Sequence, residues 1–344
     1  MPATDLVATL APPAVLRPWF AEHVPGARDA PLEIRVISGG RSNEVFEVRQ
    51  GDTRWTLRRP AAAAHERAED GMRREYRVLS ALASTDVPHP RVVAFCDDAT
   101  VIGSVFYVME HLDGFVPVEP LPPPFGEDPD ARRGLAHAVI DSLVALHAVD
   151  WKAVGLEGFG RPEGFLERQV KRWRTQLDSY RTRDIPGIEE VEAWLEANTP
   201  PPQSPTIMHG DYHLGNLVAA HDLPPRLLGI VDWENATIGD PLLDVAYLLS
   251  SWPDPDDPSS LEASRVSLVD GVPTRSEMIA RYEAMSGRSL EHLLFYATLS
   301  QYKLACMLEG IFVRQGGTGR HDATQLGAYI VSLIDRARRG IQRA

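Results

Sequence analysis

Alternation of apolar and polar positions divides the chain into two unlike parts. LEIRVI, NEVFEVR and TRWTLRR switch between apolar and polar residues with a period of two, as half-buried strands do, and the QGD between the last two is a hairpin turn signal. HERAEDGMRREYRVLSALAS changes to helical spacing, after which RVVAFC and SVFYVME return to strand character. Residues 32–112 therefore predict a three-strand meander, one long helix and two more strands, preceded by an extension over 1–31. DGFVPVEPLPPPFGEDPD, dense in proline and glycine, predicts a connecting segment over 113–130. Helical patterns then cover roughly 131–149, 163–183, 187–197, 241–251, 274–286, 289–315 and 322–341, and only LVAA and LLGIVDW interrupt them as strands. The expected fold class is α+β and bilobal, with a small lobe of five strands and a helix over 1–112 and a larger, mainly helical lobe over 131–344. WPDPDDPSS at 252–260 reads as a solvated loop.

Composition narrows the partners. The 344 residues exceed one ordinary domain of roughly 150. Hydrophobic residues at 44% and charged residues at 24% are globular values, which sets disorder and fibrous repeats aside. A formal charge of −13 argues against a nucleic-acid partner, which needs a basic face. No stretch reaches the roughly eighteen apolar residues of a membrane span, and the first twenty residues lack a secretory pattern. Two cysteines, Cys96 and Cys306, cannot build a disulfide framework and read as reduced core thiols, so a cytoplasmic location is expected. Oligomeric state is not legible.

Chemistry concentrates in HGDYHLGN, His209 to Asn216. Two histidines and an aspartate suit a transition metal, but a zinc or di-iron hydrolase needs further ligands at metal spacing. The remaining histidines are scattered, and His209 and His213 read as loop organisers. Leu217–Ala220 and Leu227–Val231 are short apolar strands; pairing Ala220 with Leu228 sets position 216 opposite 232. Asn216 and Asp232 would then offer oxygens to a hard cation such as Mg²⁺, and Asp211 beside it could accept the proton of an attacking hydroxyl. His-x-Asp, four residues, then Asn is the spacing of the protein-kinase catalytic loop, with Asp232 in the part of the later metal-binding aspartate.

The small lobe adds an independent signal. Met72, Leu79 and Leu82 form the buried stripe of the predicted helix, and Glu75 lies between them in angle. On the third strand Arg58 alternates away from Trp55 and Leu57, so it can reach both Glu75 and a phosphate, as the Lys–Glu pair of kinases does. SGGRSN at 38–43 sits where a phosphate-covering turn belongs, and Gly39, Gly40 and Ser42 are its candidate contacts.

SGGRSN, WTLRRP, RREYRVLSAL, FYVMEHLDG, HGDYHLGN and IVDWENATIGDPLLDVAYLL, in this order, resemble the aminoglycoside phosphotransferase and choline kinase superfamily, which has the protein-kinase-like fold. LRRP, EYRVLSAL with DVPHPRV, and FYVMEHLDG are most similar to the phosphotransferase-like domains fused to some acyl-CoA dehydrogenases. The resemblance implies ATP as phosphoryl donor, with GTP left open, Mg²⁺ as the metal, and a small-molecule hydroxyl as acceptor. It implies Asp211 as base, Asn216 and Asp232 as metal ligands, and Glu75 as partner of the phosphate-binding cation. Glu110 and Leu112 would present hinge backbone groups to adenine, and Asp244 would brace the catalytic loop with His209 in support. Arg58 stands where a lysine is usual, and a planar fork holds phosphate differently from a point charge. Paired glycines in place of GxGxxG, and no APE-like segment, point to a small-molecule kinase. Alternatives are a nucleotide-binding pseudokinase acting as an interaction module, a kinase of a hydroxyacyl-CoA-type metabolite, and a metal-dependent hydrolase. Glu283 and Glu309 are candidates to meet a cationic acceptor, and the helix bearing Arg168, Lys171, Arg172 and Arg174 reads as a solvated basic face.

Overall fold

The computed structural model describes residues 3–39, 43–61, 68–253, 269–316 and 321–343. Strands β1 (Glu33–Gly39), β2 (Asn43–Gln50), β3 (Thr53–Pro60), β4 (Val92–Cys96) and β5 (Phe106–Glu110) form one antiparallel sheet in the order β1-β2-β3-β5-β4. Gln50 pairs with Thr53, so Gly51 and Asp52 make the hairpin turn, with Gly51 at φ 61°. The period-two pattern gives the sheet two unlike faces. Phe46, Val48, Trp55 and Leu57 bury against one set of neighbours, while Glu47, Thr56 and Arg58 project to the other side.

Helices α1 (Ala3–Leu10) and α2 (Pro13–His23) join the apolar cluster of the first face, with Trp19 4.7 Å from the Phe106 ring and Phe20 5.9 Å from Trp55. The extension over 1–31 thus holds two helices; Pro13 starts the second and Pro18 is tolerated within it. Arg59, adjacent to Arg58, lies buried on the first face and donates to the Leu10 carbonyl at the end of α1 (2.6 Å). On the inner face lies α3 (Ala68–Leu82), whose buried residues are Met72, Glu75, Val78, Leu79 and Leu82, the predicted stripe.

The remainder is mainly helical: α4 (Pro129–Ala148), α5 (Gln169–Asp178), α6 (Ile188–Ala197), α7 (Leu242–Ser250), α8 (Arg275–Ser286), α9 (Leu293–Arg314) and α10 (His321–Arg343). Asp128 caps α4 through the Asp130 N–H (2.9 Å), and Thr274 with Glu277 forms a capping box on α8. Two strand pairs lie among these helices. β7 (Leu217–Ala219) and β8 (Leu227–Ile230) are the expected hairpin; β6 (Thr206–Met208) and β9 (Thr237–Gly239) were not anticipated, being three residues each and too short for a period to show. The predicted hairpin register is corrected by one residue: Leu217 pairs with Ile230, and an irregularity after Val218 shifts the rest. Trp252 corrects the solvated-loop reading at its own position, for it is buried and donates to the Pro273 carbonyl (2.9 Å). Residues 254–260 of that stretch lie outside the described residues. Cys96 and Cys306 are both free and buried, as expected.

Candidate active site

The segment after β6 is held by hydrogen bonds from three sides. The His209 ring is buried; its Nε2 lies 3.0 Å from the Val231 carbonyl, and its Nδ1 accepts from the Asp211 N–H (3.3 Å). Those partners assign a neutral ring with the proton on Nε2, and burial lowers its pKa accordingly. Gly210 follows at φ 79°, where a Cβ would stand 2.4 Å from the Asn235 carbonyl oxygen. Only glycine fits there, because both the backbone angle and the close approach exclude a side chain. Asp244, in the first turn of α7, accepts from the His209 N–H (2.6 Å) and the Gly210 N–H (2.8 Å). His147 stands behind it, Nε2 3.6 Å from Asp244 Oδ2 and Nδ1 2.8 Å from the Tyr282 hydroxyl.

Asp211 emerges from this frame. Asn216 Nδ2 donates both to its carbonyl (3.0 Å) and to Oδ2 (3.1 Å), and His213 Nε2 is 3.6 Å from the same oxygen. Burial disfavours the charge of Asp211, but hydrogen bonds from His213 and Tyr247 outweigh it and hold the carboxyl well below the ordinary carboxylate range. His213 Nδ1 accepts from the Gly215 N–H (3.0 Å). The His209 ring thus ties the Asp211 N–H within the loop to the Val231 carbonyl outside it, and the His213 ring turns back on the Gly215 N–H and the Asp211 carboxylate. Among the described residues no group of three or more His, Cys, Asp and Glu is placed to hold a metal.

Asp232 lies across from this loop. Its backbone is left-handed at φ 67°, ψ 63°, the one non-glycine residue with positive φ among those described. Such a conformation costs on the order of 1–3 kcal/mol and is typical of working sites. Arg58 Nε donates to Glu75 Oε2 (2.9 Å) and Nη2 to Asp232 Oδ1, while Glu75 Oε1 accepts from the Trp233 N–H (2.9 Å). Burial works against the guanidinium charge, yet Glu75, Tyr107 and Asp232 raise its pKa above the ordinary arginine value. Burial pushes Glu75 up, with Arg58 opposing. The Asn216–Asp232 pairing inferred from register is replaced by a looser relation: Val231, not Asp232, bonds to the Asn216 backbone (2.9 Å), and both side chains line one cleft.

That cleft, about 770 Å³, runs between the sheet and the β7–β8 hairpin. Its walls include Arg58, Glu75, Met109, Glu110, Leu112, Asn216, Val218 and Asp232. The Glu110 N–H is taken by the Arg91 carbonyl (2.8 Å). Gly39 ends β1 opposite Glu44, whereas Gly40 and Ser42 lie outside the described residues. Glu309 is not open to a cationic acceptor, and Glu283 is half-buried and does not line the cleft. The first is buried in a fork with Arg183 (2.8 and 3.0 Å), and the second accepts from the Leu290 N–H (2.8 Å). On the basic helix Arg174 is likewise spent on Glu192 (2.7 Å). Sequence reasoning missed His147 and Lys303, the latter donating to the Gly210 carbonyl (2.6 Å); neither belongs to a local motif.

A model of the phosphotransferase enzyme family matches residues 33–275. The chain belongs to that family. The chain is 31% identical over 312 residues to mouse acyl-CoA dehydrogenase family member 10, covering 89% of the chain but 29% of that relative. A crystal structure from Ralstonia eutropha, described provisionally as an aminoglycoside phosphotransferase, superimposes with TM-score 0.81 at 30% identity, covering 96% of this chain and 98% of that one. A thermostable mutant of aminoglycoside phosphotransferase APH(4)-Ia, in ternary complex with ADP and hygromycin B, shares the fold alone at 14% identity and TM-score 0.57, over 93% of this chain and 98% of its own. The protein-kinase-like, bilobal α+β fold expected from the sequence is the fold observed. No helix among the described residues is long and apolar enough to cross a membrane.

Proposed function

We propose that this phosphotransferase moves the γ-phosphoryl group of ATP to a hydroxyl of a small molecule, with Asp211 as base. The observation that carries the reading is the half-buried Asp211, held by Asn216, whose own side chain lines a cleft together with Asp232 and the Arg58–Glu75 pair. In the step, the acceptor oxygen bonds to the γ-phosphorus, the bond from that phosphorus to the β,γ-bridging oxygen breaks, and the hydroxyl proton goes to Asp211, leaving ADP. Asp211 orients the hydroxyl by accepting its hydrogen bond, and Asn216 holds the carboxylate in place. Arg58, fixed by Glu75, reaches into the cleft as the phosphate-binding cation, while Glu110 and Leu112 stand at the wall where the base would lie.

The donor set fits Mg²⁺. Asn216 uses Nδ2 for both bonds to Asp211, which turns the amide oxygen to other partners, and the strained Asp232 backbone presents a carboxylate with 37% of its side chain exposed. The ion, when bound, offsets the charge of the phosphates. The APH(4)-Ia mutant, which shares the fold, is a complex with ADP, and that supports a nucleotide as ligand here.

ADP release tests the reading across aminoglycosides, macrolides, choline-like amines, sugars and hydroxyacyl thioesters. Turnover with one class that Asp211→Ala abolishes would support it; turnover surviving Asp211→Ala would refute it. A second reading, a nucleotide-binding pseudokinase, draws on the Arg58–Asp232 ion pair, which occupies a carboxylate oxygen that a metal would use. Calorimetric Mg·ATP binding without product from any acceptor would favour it.

A further inference from the structure

Lys303 approaches the catalytic loop from α9, far along the chain from HGDYHLGN. Its Nζ donates to the Gly210 carbonyl at 2.6 Å, and the rings of Trp173 and Tyr247 flank it at 5.8 and 5.9 Å. Burial lowers its pKa, Asp211 and Asp244 counter that shift, and Arg172 adds to it. A lysine so enclosed is costly unless its charge is used.

What it holds is the peptide joining Gly210 to Asp211. The oxygen of that peptide accepts from Lys303, and its N–H, that of Asp211, donates to His209 Nδ1 (3.3 Å). Gly210 sits at φ 79° close against the Asn235 backbone but has no side chain of its own to anchor the peptide that follows it. Hydrogen bonds must do so, and the bond to an ammonium is the charge-assisted one. The Asp211 side chain starts from the next atom of the chain. A rotation of the peptide therefore swings the carboxylate away from Asn216.

We propose that Lys303 is a positioning residue for phosphoryl transfer: through the Gly210 carbonyl it fixes the peptide that carries Asp211. This rests on Asp211 acting as base. It assigns to a distant helix the cation of the catalytic loop, since HGDYHLGN contains no lysine or arginine.

The test uses the full chain with Lys303→Met, Lys303→Arg, Asp211→Asn and the Lys303→Met/Asp211→Asn double variant. Mg·ATP affinity is measured by calorimetry, ADP release across the acceptor panel with water included, and folding by thermal melting. Lys303→Met is expected to lower kcat by about tenfold or more while the Kd and KM for Mg·ATP stay within about twofold, and Lys303→Arg to restore part of the rate. On the Asp211→Asn background Lys303→Met is expected to change the residual rate by less than about twofold, since the two act as one unit. A Lys303→Met enzyme as fast as the parent, an equal loss with and without the Asp211 carboxylate, or a parallel loss of nucleotide affinity would each overturn the proposal. If Lys303→Met does not fold, Lys303→Gln is compared with Lys303→Arg, and equal rates overturn it. A parent protein that releases no ADP with any panel member sinks the proposed activity first and this inference with it.

Discussion

The charge of Asp211 is decided by its neighbours rather than by its exposure: three polar side chains reach it, and the balance leaves a carboxylate at neutral pH. Asp211→Asn keeps the shape but removes the proposed base. Turnover is expected to fall by about 10²–10⁴-fold with Mg·ATP affinity little changed, as steady-state kinetics beside calorimetry would show. Gly210 is the residue where backbone geometry matters most. In Gly210→Ala a methyl group would meet the Asn235 carbonyl at 2.4 Å on a left-handed backbone, so a loss of about 1–3 kcal/mol in urea unfolding is expected, with turnover falling alongside. Glu75→Ala leaves the buried Arg58 with Asp232 alone and the Trp233 N–H without its acceptor. A loss of about 3–5 kcal/mol is expected, and a variant as stable as the parent would show that the pair contributes nothing to folding.

At the scale of elements, α3 is bound to the helical lobe as well as to the sheet. Arg74 donates to the carbonyls of Phe159 (3.0 Å) and Ala236 (3.3 Å) and lies 4.3 Å over the Phe159 ring, while Arg77 donates to those of Gly155 (3.1 Å) and Glu157 (2.7 Å). These bonds hold Glu75 at the Trp233 backbone, so the Arg58–Glu75 pair is assembled without any added modification. Arg74→Ala is expected to cost about 1–3 kcal/mol and to speed hydrogen exchange across α3 more than across α9. Uniform acceleration in both helices would argue that α3 opens only with the whole molecule.

For the molecule as a whole, acid sensitivity follows from buried histidines. His209 and His147 are pushed below the ordinary histidine value of 6.5 by burial, with nearby carboxylates, Asp244 foremost, working the other way. As pH falls through that value the unfolded chain takes up protons that the folded chain refuses, so stability declines on acidification. His147→Gln is expected to lessen the slope of unfolding free energy against pH by roughly one proton below that point, read from urea titrations at several pH values.

Motif order, the Glu75 stripe, the outward and inward alternation of Trp55, Leu57 and Arg58, and the α+β organisation were all legible in the sequence, because each depends on spacing within one element or on a short loop. Spacing also singled out the candidate residues of HGDYHLGN, but not the contacts each of them makes. The neutral ring of His209, the left-handed Asp232, the one-residue correction in the hairpin, the cover that α1 and α2 give the sheet, and the reach of Lys303 to Gly210 emerged only in three dimensions. The physical reason is common to them. Burial, and the hydrogen-bond partners that compensate it, come from residues far apart along the chain, and a periodic pattern records which side of an element is buried but not what lies against it.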